Sequence, residues 1–166
     1  DYVVEIHGDG AQFDPSSTVE AYQFLRQGCD FVLGSRFQNK RLPLTNGMSL
    51  IRYLANLSMS AIDRKVTGLD LTEFHTGFRI YSRRLYETIP LSNNSNDYLF
   101  SFEIIAQAAY FGLDIREVPV EANYHAPHTS ISLRRSAKYA VTHFGTLGQL
   151  ILARNGFYYS QQFPQL

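Results

Sequence analysis

The residues after the first apolar run of the chain could hold a metal ion beside a phosphate group. Tyr2 to Ile6 is an apolar, largely β-branched stretch, and it leads into His7, Asp9 and Gln12 among small residues. A short buried strand that ends in glycines and a carboxylate is how α/β proteins present a ligand at the carboxyl edge of a sheet. An ordinary Asp-Gly turn is the plainer interpretation of the same residues.

Asp9 is the first candidate metal ligand, because a carboxylate oxygen suits a hard divalent cation such as Mg²⁺ or Mn²⁺. His7 stands two residues earlier and would suit Mn²⁺ better than Mg²⁺, since imidazole is a softer ligand. Gln12 is a further candidate ligand three residues after Asp9. For His7 the alternative is a hydrogen bond at the end of a strand.

Three arginines are placed where guanidinium groups could bind phosphate oxygens in pairs. Arg36 ends a predicted strand, Arg52 lies on a predicted long helix, and Arg79 belongs to another predicted strand. We expect them to converge near Asp9 and neutralise a donor diphosphate together with an acceptor phosphate. A surface charge is the alternative for each of them.

These residues must be positioned by alternating strands and helices, which predict an α/β fold. A capping-box pattern from Ser17 to Glu20 predicts where the first helix begins, and Gly68 is a plausible end for the long helix. The predicted strands are 2–7, 31–35, 77–82 and 115–121, and the predicted helices are 17–27, 46–66, a short one ending at Ile89, 101–111 and 134–154. Apolar positions at three- to four-residue spacing mark the helix 46–66: Met48, Ile51, Leu54, Ala55, Ser58, Met59 and Ile62.

Composition narrows the classes of protein that this chain can belong to. The chain has 166 residues, 45% of them hydrophobic, and is therefore long enough to form one domain with a sizeable core. The formal net charge of zero gives no bulk attraction to nucleic acid. The single cysteine, Cys29, excludes an internal disulfide and is expected to be a small core residue. No run of 18 apolar residues occurs, so no predicted helix spans a bilayer.

Several short motifs, in this order and spacing, resemble family 2 glycosyltransferases, and within them the polyprenyl-phosphate hexosyltransferases similar to dolichol-phosphate mannose synthase. They lie in the following segments: 2–15, 29–37, 73–83, 102–105, 115–120 and 124–132. The resemblance runs from residue 2 to about residue 135. It implies a partial GT-A fold, a Rossmann-like mixed sheet flanked by helices. Family members carry further strands before this point, so we expect residues 1–166 to be a single domain, the C-terminal part of a catalytic domain whose N-terminal strands are missing.

The resemblance also implies an activity and roles for particular residues. The activity is metal-dependent, inverting transfer of a hexose from a GDP- or UDP-sugar to a polyprenyl phosphate. His7 and Asp9 stand at the family's Asp-x-Asp motif. Glu73 and Arg79 would be catalytic, although a phosphate acceptor, whose second pKa is about 6, needs no base, so that Glu73 could instead orient His75 or Arg79. The residues that would bind substrate are Ser35, Arg36, Arg52, His75 and Ser130.

The sequence also leaves two alternative functions open and predicts binding partners. The chain could instead be a catalytically inert acceptor-side binding module, or a metallohydrolase that uses His7, Asp9 and His75. The expected partners are a nucleotide-sugar donor and a lipid-phosphate acceptor, with peripheral contact to the cytoplasmic face of a membrane and homo-oligomers as a further expectation. We expect the chain alone to have no substantial transferase activity.

Overall fold

A computed structural model describes residues 1–5, 16–122, 124 and 133–166, with the backbone alone at 133–135. The predicted metal ligands His7, Asp9 and Gln12, and the predicted substrate-binding residue Ser130, lie outside the described residues. Within the described residues, no helix combines the length and the apolar character needed to cross a membrane.

Strands and helices alternate along most of the chain, as predicted. The strands are β1 (Tyr2–Glu5), β2 (Phe31–Ser35), β3 (Arg79–Ser82) and β4 (Ile115–Pro119). The helices are α1 (Ser16–Arg26), α2 (Leu42–Thr45), α3 (Leu50–Thr67), α4 (Arg83–Thr88), α5 (Phe100–Tyr110) and α6 (Leu133–Arg154), with one 3₁₀ turn at Leu91–Asn93.

The four described strands form one mixed sheet in the order β1, β3, β2, β4. β3 is antiparallel to both of its neighbours, and β2 runs parallel to β4. The parallel pair requires a crossover connection, which the intervening helices provide. The prediction of an α/β fold with a mixed sheet flanked by helices is confirmed.

Alternating side chains of the central strands fill a separate core on each face of the sheet, as the two-residue period of a strand requires. On one face, Phe31, Leu33 and Tyr81 pack with α5 and α6 in the larger core. On the other face, Val32 and Ile80 pack against α1 in a smaller core. The sheet is therefore buried on both faces at β2 and β3, and these strands hold the residues at their ends in fixed positions.

The structure differs from the prediction in the role of Ser17 and in the start of the long helix. Ser17 does not cap α1, which begins at Ser16; its hydroxyl instead donates to the Pro119 carbonyl at 3.1 Å. The long helix begins at Leu50 rather than residue 46, because Gly47 takes a positive φ of 93° that interrupts the backbone after α2. The predicted end at Gly68 is confirmed, with φ of 75° in the left-handed region.

α3 turns its apolar side outward. Ile51, Leu54 and Ile62, which mark its apolar stripe, are exposed, whereas its buried residues are Ser60 and Asp63 together with Thr67. A helix whose polar side faces the protein interior has polar partners there, since buried polar groups need hydrogen bonds. For Asp63 these partners are histidines of α6 and of the segment before β3. The Thr67 hydroxyl donates within α3 to the Asp63 carbonyl at 2.7 Å, and Ser60 Oγ has no partner among the described residues.

Cys29 is a buried core residue, as predicted, and its thiol donates to the Phe31 carbonyl at 3.1 Å. Burial raises the pKa of the Cys29 thiol to about 11. Because this folded-state pKa lies above the unfolded value, the protonated thiol contributes stability below the unfolded pKa, and this is lost as pH rises towards 11. We expect a thiol reagent to label Cys29 slowly at pH 8 and rapidly after denaturation. Equal labelling rates in both states would contradict this.

Candidate active site

The ends of three strands meet at one edge of the sheet. Glu5, the last residue of β1, pairs in register with Arg79, the first residue of β3. Leu33 of β2 pairs with the same arginine, and the Gly34 amide donates to the Phe78 carbonyl at 2.9 Å. The end of β1, from which the chain runs on to His7, therefore lies beside the start of β3 and the end of β2.

An ion pair joins the residue after β2 to the segment before β3. The Arg36 guanidinium forks onto Glu73, whose carboxylate also accepts the Arg36 backbone amide at 2.7 Å. Arg36 Nη1 donates to the Tyr124 hydroxyl at 2.6 Å. The Glu73 side chain is fully buried and that of Arg36 is 13% exposed. Although burial opposes it, the Glu73 carboxylate raises the pKa of Arg36 above its ordinary range.

The contacts of this pair restrict what Glu73 can do chemically. Both carboxylate oxygens accept hydrogen bonds from Arg36. A general base must accept a proton on an oxygen that is free to receive it, and in Glu73 both oxygens are already held by Arg36. Glu73 is therefore better suited to fixing the position of the segment before β3, on which it lies.

Ser35 lies in a buried hydrogen-bond chain. Its hydroxyl is 2.6 Å from that of Thr72, and the Thr72 hydroxyl donates to Glu117 at 2.8 Å. The Phe37 amide donates to Ser35 Oγ at 3.1 Å. These contacts tie the end of β2 to β4 and to the segment before β3.

Arg79 is the most deeply buried of the predicted phosphate-binding arginines, at 2% exposure. Its Nη1 is 3.6 Å from the carboxylate of Glu5, which also accepts a hydrogen bond from the Tyr81 hydroxyl. Among the described residues, Nε and Nη1 of Arg79 have no hydrogen-bond partner. A buried guanidinium with unused donors is costly, so this group is suited to an anionic ligand.

Arg52 of α3 lies at the same site as Arg36. Its guanidinium carbon is 5.9 Å from the centre of the Tyr124 ring, whose hydroxyl contacts Arg36. Burial raises the pKa of Tyr124, so this hydroxyl stays protonated at neutral pH. Tyr124 thus links Arg52 to the Arg36–Glu73 ion pair.

His75 points to a different set of partners, on α3 and α6. Its Nδ1 is 3.1 Å from the Tyr139 hydroxyl, and its Nε2 is 3.1 Å from the Asp63 carboxylate. His143 Nε2 is 2.6 Å from the other oxygen of Asp63. Burial alone would raise the pKa of Asp63, but its contacts with His143 and His75 outweigh burial and lower it.

The structure joins Arg36, Glu73 and, through Tyr124, Arg52, with Ser35 next to Arg36 at the end of β2. Arg79 begins β3 at the same end of the sheet, where its side chain faces Glu5. Sequence reasoning missed their partners Glu5, Thr72, Glu117 and Tyr124, and it missed Asp63 and His143 beside His75. Periodicity did not point to Asp63, because it lies on the side of α3 away from its apolar stripe.

Gly34, just before this site, is required by close packing rather than by backbone conformation. A Cβ added there would lie 2.7 Å from Val120 Cγ1 and 3.0 Å from Phe78 Cβ. We expect Gly34→Ala to lower the free energy of unfolding by about 1–3 kcal/mol through overpacking, and Val120→Ala to recover part of that loss. Gly145→Ala, at an open helical position, should stabilise by about 0.5–1 kcal/mol in the same denaturant titration. A neutral Gly34→Ala would contradict the close approach.

Comparison with known proteins gives relatives in sequence and in structure. No protein-family model matches the chain. Over 152 residues it is 27% identical to the uncharacterized protein MJ1222 of Methanocaldococcus jannaschii, covering 92% of this chain and 60% of that protein. Over 158 residues it is 26% identical to the polyprenol monophosphomannose synthase of Mycolicibacterium smegmatis, covering 92% of this chain and 58% of that protein.

The fold is similar to that of a solved glycosyltransferase. Glucosyl-3-phosphoglycerate synthase from Mycobacterium tuberculosis, in complex with Mn²⁺, UDP-glucose and phosphoglyceric acid, matches with a TM-score of 0.58 at 17% identity. The match covers 96% of this chain and 51% of that one, so the chain spans between half and 60% of the proteins it resembles. The sheet described above is thus part of a GT-A fold, and the resemblance to family 2 glycosyltransferases, in their polyprenyl-phosphate branch, is confirmed over the part of those proteins that this chain covers.

Proposed function

We propose that this chain takes part in transferring a hexose from a GDP- or UDP-sugar to a polyprenyl phosphate, with inversion and with the help of Mg²⁺ or Mn²⁺. The observation that carries the proposal is the buried Arg79 guanidinium at the start of β3, beside the end of β1. Its Nε and Nη1 have no hydrogen-bond partner among the described residues, and its Nη1 lies 3.6 Å from the Glu5 carboxylate. Its position suits a phosphate group bound between the end of β1 and the start of β3.

The chemical step is a displacement at the anomeric carbon of the sugar. An oxygen of the acceptor phosphate forms the new bond to that carbon, and the bond to the nucleotide diphosphate breaks with its electron pair going to the diphosphate. Because an ionised phosphate is a ready nucleophile, no side chain has to remove a proton. The protein contributes positioning and the stabilisation of the leaving group's charge.

Arg79 acts in this proposal by donating hydrogen bonds to phosphate oxygens, and Glu73 acts as a positioning residue. Glu73 holds Arg36 and the end of β2 through its buried fork, so its loss would displace the site rather than remove a base. Arg36 and Arg52, joined through Tyr124, would add positive charge on the acceptor side. His75 and Ser35 would then help to shape the site, with Ser130 on the acceptor side.

Asp9, His7 and Gln12 would hold a divalent cation, which would offset the negative charge of the donor's diphosphate. The register of β1 supports this, because Glu5 ends the strand beside Arg79 and His7 follows two residues later. The Mn²⁺ and UDP-glucose in the solved synthase from M. tuberculosis support the same class of donor and cation. The choice between GDP- and UDP-sugars remains part of the test.

The exposed apolar side of α3 supports peripheral contact with the membrane that holds a lipid acceptor. Leu50, Ile51 and Leu54 near its start are all more than half exposed. A row of apolar side chains on a surface helix can lie in the headgroup region of a bilayer. In this proposal the protein works at the cytoplasmic face of that membrane.

The test is glycosyl transfer by the full natural polypeptide that carries these residues. GDP-mannose and UDP-glucose would be supplied as donors with Mn²⁺, and a short polyprenyl phosphate or 3-phosphoglycerate as acceptor. We expect a hexosyl polyprenyl phosphate and no sugar on 3-phosphoglycerate. Sugar transfer to 3-phosphoglycerate alone would overturn the acceptor assignment.

Two further outcomes separate the alternatives. Binding of the polyprenyl phosphate without any transfer would favour an inert acceptor-side module. Hydrolysis of the nucleotide sugar that does not depend on an acceptor would favour a metallohydrolase. Either result would overturn the proposed transfer.

A further inference from the structure

Asp63, His75 and His143 form a buried cluster outside the arginine site. They come from α3, the segment before β3 and α6, so they are far apart in sequence. One potential ligand atom from each lies within 4.8 Å of the others. Asp63 and His143 are fully buried, and the His75 side chain is 11% exposed.

The hydrogen bonding of the cluster is incomplete. His143 Nε2 bonds one oxygen of Asp63 at 2.6 Å. The other oxygen, Oδ2, faces His75 Nε2 at 3.1 Å, yet neither atom makes a hydrogen bond within the described part of the chain. Buried polar atoms without partners are uncommon in native proteins and call for an explanation such as a bound ion.

A cation bound by the Asp63 carboxylate would give Oδ2 of Asp63 and Nε2 of His75 the bonding partner that they otherwise lack. The two imidazole nitrogens face the two carboxylate oxygens, so such a cation would meet both rings. Ligand atoms around tetrahedral zinc are roughly 3.4 Å apart, given bonds of about 2.1 Å. The 3.1 Å separation of Asp63 Oδ2 and His75 Nε2 already fits, and the wider spread within 4.8 Å requires a modest inward shift of the rings.

The surroundings of His75 resemble those of a metal-ligating histidine. Its second nitrogen, Nδ1, is 3.1 Å from the Tyr139 hydroxyl, which fixes the ring orientation as outer partners of metal ligands do. Burial raises the pKa of Tyr139, so its hydroxyl stays protonated and can accept a hydrogen bond from the Nδ1–H group of His75.

We propose that Asp63, His75 and His143 bind one Zn²⁺ ion, or another divalent transition metal of similar ligand preference. Two imidazoles and one carboxylate suit this class better than Mg²⁺ or Ca²⁺, which prefer oxygen ligands. The site explains why α3 turns a carboxylate inward while its apolar residues face outward. The ion would clamp α3 and α6 to the segment that carries Glu73, and it is separate from the cation site proposed at Asp9.

The experiment titrates Zn²⁺ and Co²⁺ into the metal-free chain. We expect one Zn²⁺ per chain at this site by calorimetry, a higher Tm with Zn²⁺, and the intense visible absorption of low-coordinate Co²⁺. Asp63→Asn and His143→Gln should weaken this binding roughly 100-fold or more. Glu87→Gln, which removes an exposed carboxylate on α4, serves as the control and should leave it unchanged.

The outcomes do not depend on transferase activity, so failure here is distinct from failure of the proposed function. Absence of Zn²⁺ binding, or binding that both cluster variants retain, would overturn the proposal. If these variants fail to fold, nitrogen-15 NMR of the histidine rings in the unaltered chain shows instead which histidines bind Zn²⁺. Shifts of His75 and His143 with one equivalent of Zn²⁺ would support the site, and shifts confined to other histidines would overturn it.

Discussion

Glu73→Gln should lower the free energy of unfolding of this chain by about 3–5 kcal/mol. The reason is the charge that it leaves behind, since Arg36 is held by the Glu73 fork and is only 13% exposed. Removing one member of a buried ion pair leaves the other charge desolvated and uncompensated, which is the large part of the cost. Chemical denaturation followed by circular dichroism measures the change.

The exposed pair of Arg83 and Glu87 provides the matched control. Their side chains are 63% and 56% exposed, so Glu87→Gln should leave the unfolding midpoint unchanged. A second comparison replaces both members of the buried pair, as Arg36→Met with Glu73→Leu, and should recover most of the stability lost in Glu73→Gln. A Glu73→Gln variant as stable as the unaltered chain would contradict the buried-charge argument.

The positions of the strands could be predicted from sequence because their signal is local, although β3 begins at Arg79 rather than residue 77 and β4 ends at Pro119 rather than residue 121. The run from Phe31 to Ser35 is short, apolar and bounded by polar residues, and the structure has a strand with those bounds. The order of the strands in the sheet, β1, β3, β2, β4, is not contained in the hydrophobic pattern.

The partners of the predicted residues could not be predicted, because side-chain pairing depends on tertiary contacts. Arg36 and Glu73 are 37 residues apart, and nothing local indicates that one neutralises the other. Read alone, Arg36 looked like a free phosphate ligand and Glu73 like a candidate base. Their mutual fork changes the interpretation of both residues.

The sequence also did not predict which side of α3 is buried. Its apolar stripe has the spacing of a core-facing helix, and yet Ile51 is 83% exposed while Asp63 is fully buried. Periodicity identifies a helix and its two sides, but it does not say which side the rest of the protein covers. Here the buried side is set by the specific contacts of Asp63 with His143 and His75.

Arg79→Ala should reduce the rate of sugar transfer by the full natural polypeptide by roughly 100- to 1,000-fold, the usual cost of removing a donor that stabilises developing charge. The buried Nε and Nη1 donors of Arg79 have no hydrogen-bond partner among the described residues, so a bound phosphate would use them. Arg79→Lys should lose less, because it keeps the positive charge and loses only the two-pronged geometry.

The contrast between these two variants tests the geometry of Arg79 itself. If the guanidinium binds two phosphate oxygens, the lysine variant should show a defect between those of the unaltered protein and the alanine variant. Equal losses would argue against paired contacts, and an unchanged rate would remove Arg79 from the site. Arg116→Ala is the control, since Arg116 is 58% exposed and pairs only with Asp114 among the described acids. Because Arg79 also faces Glu5 at 3.6 Å, the melting temperature of each variant separates a lost phosphate contact from a damaged fold.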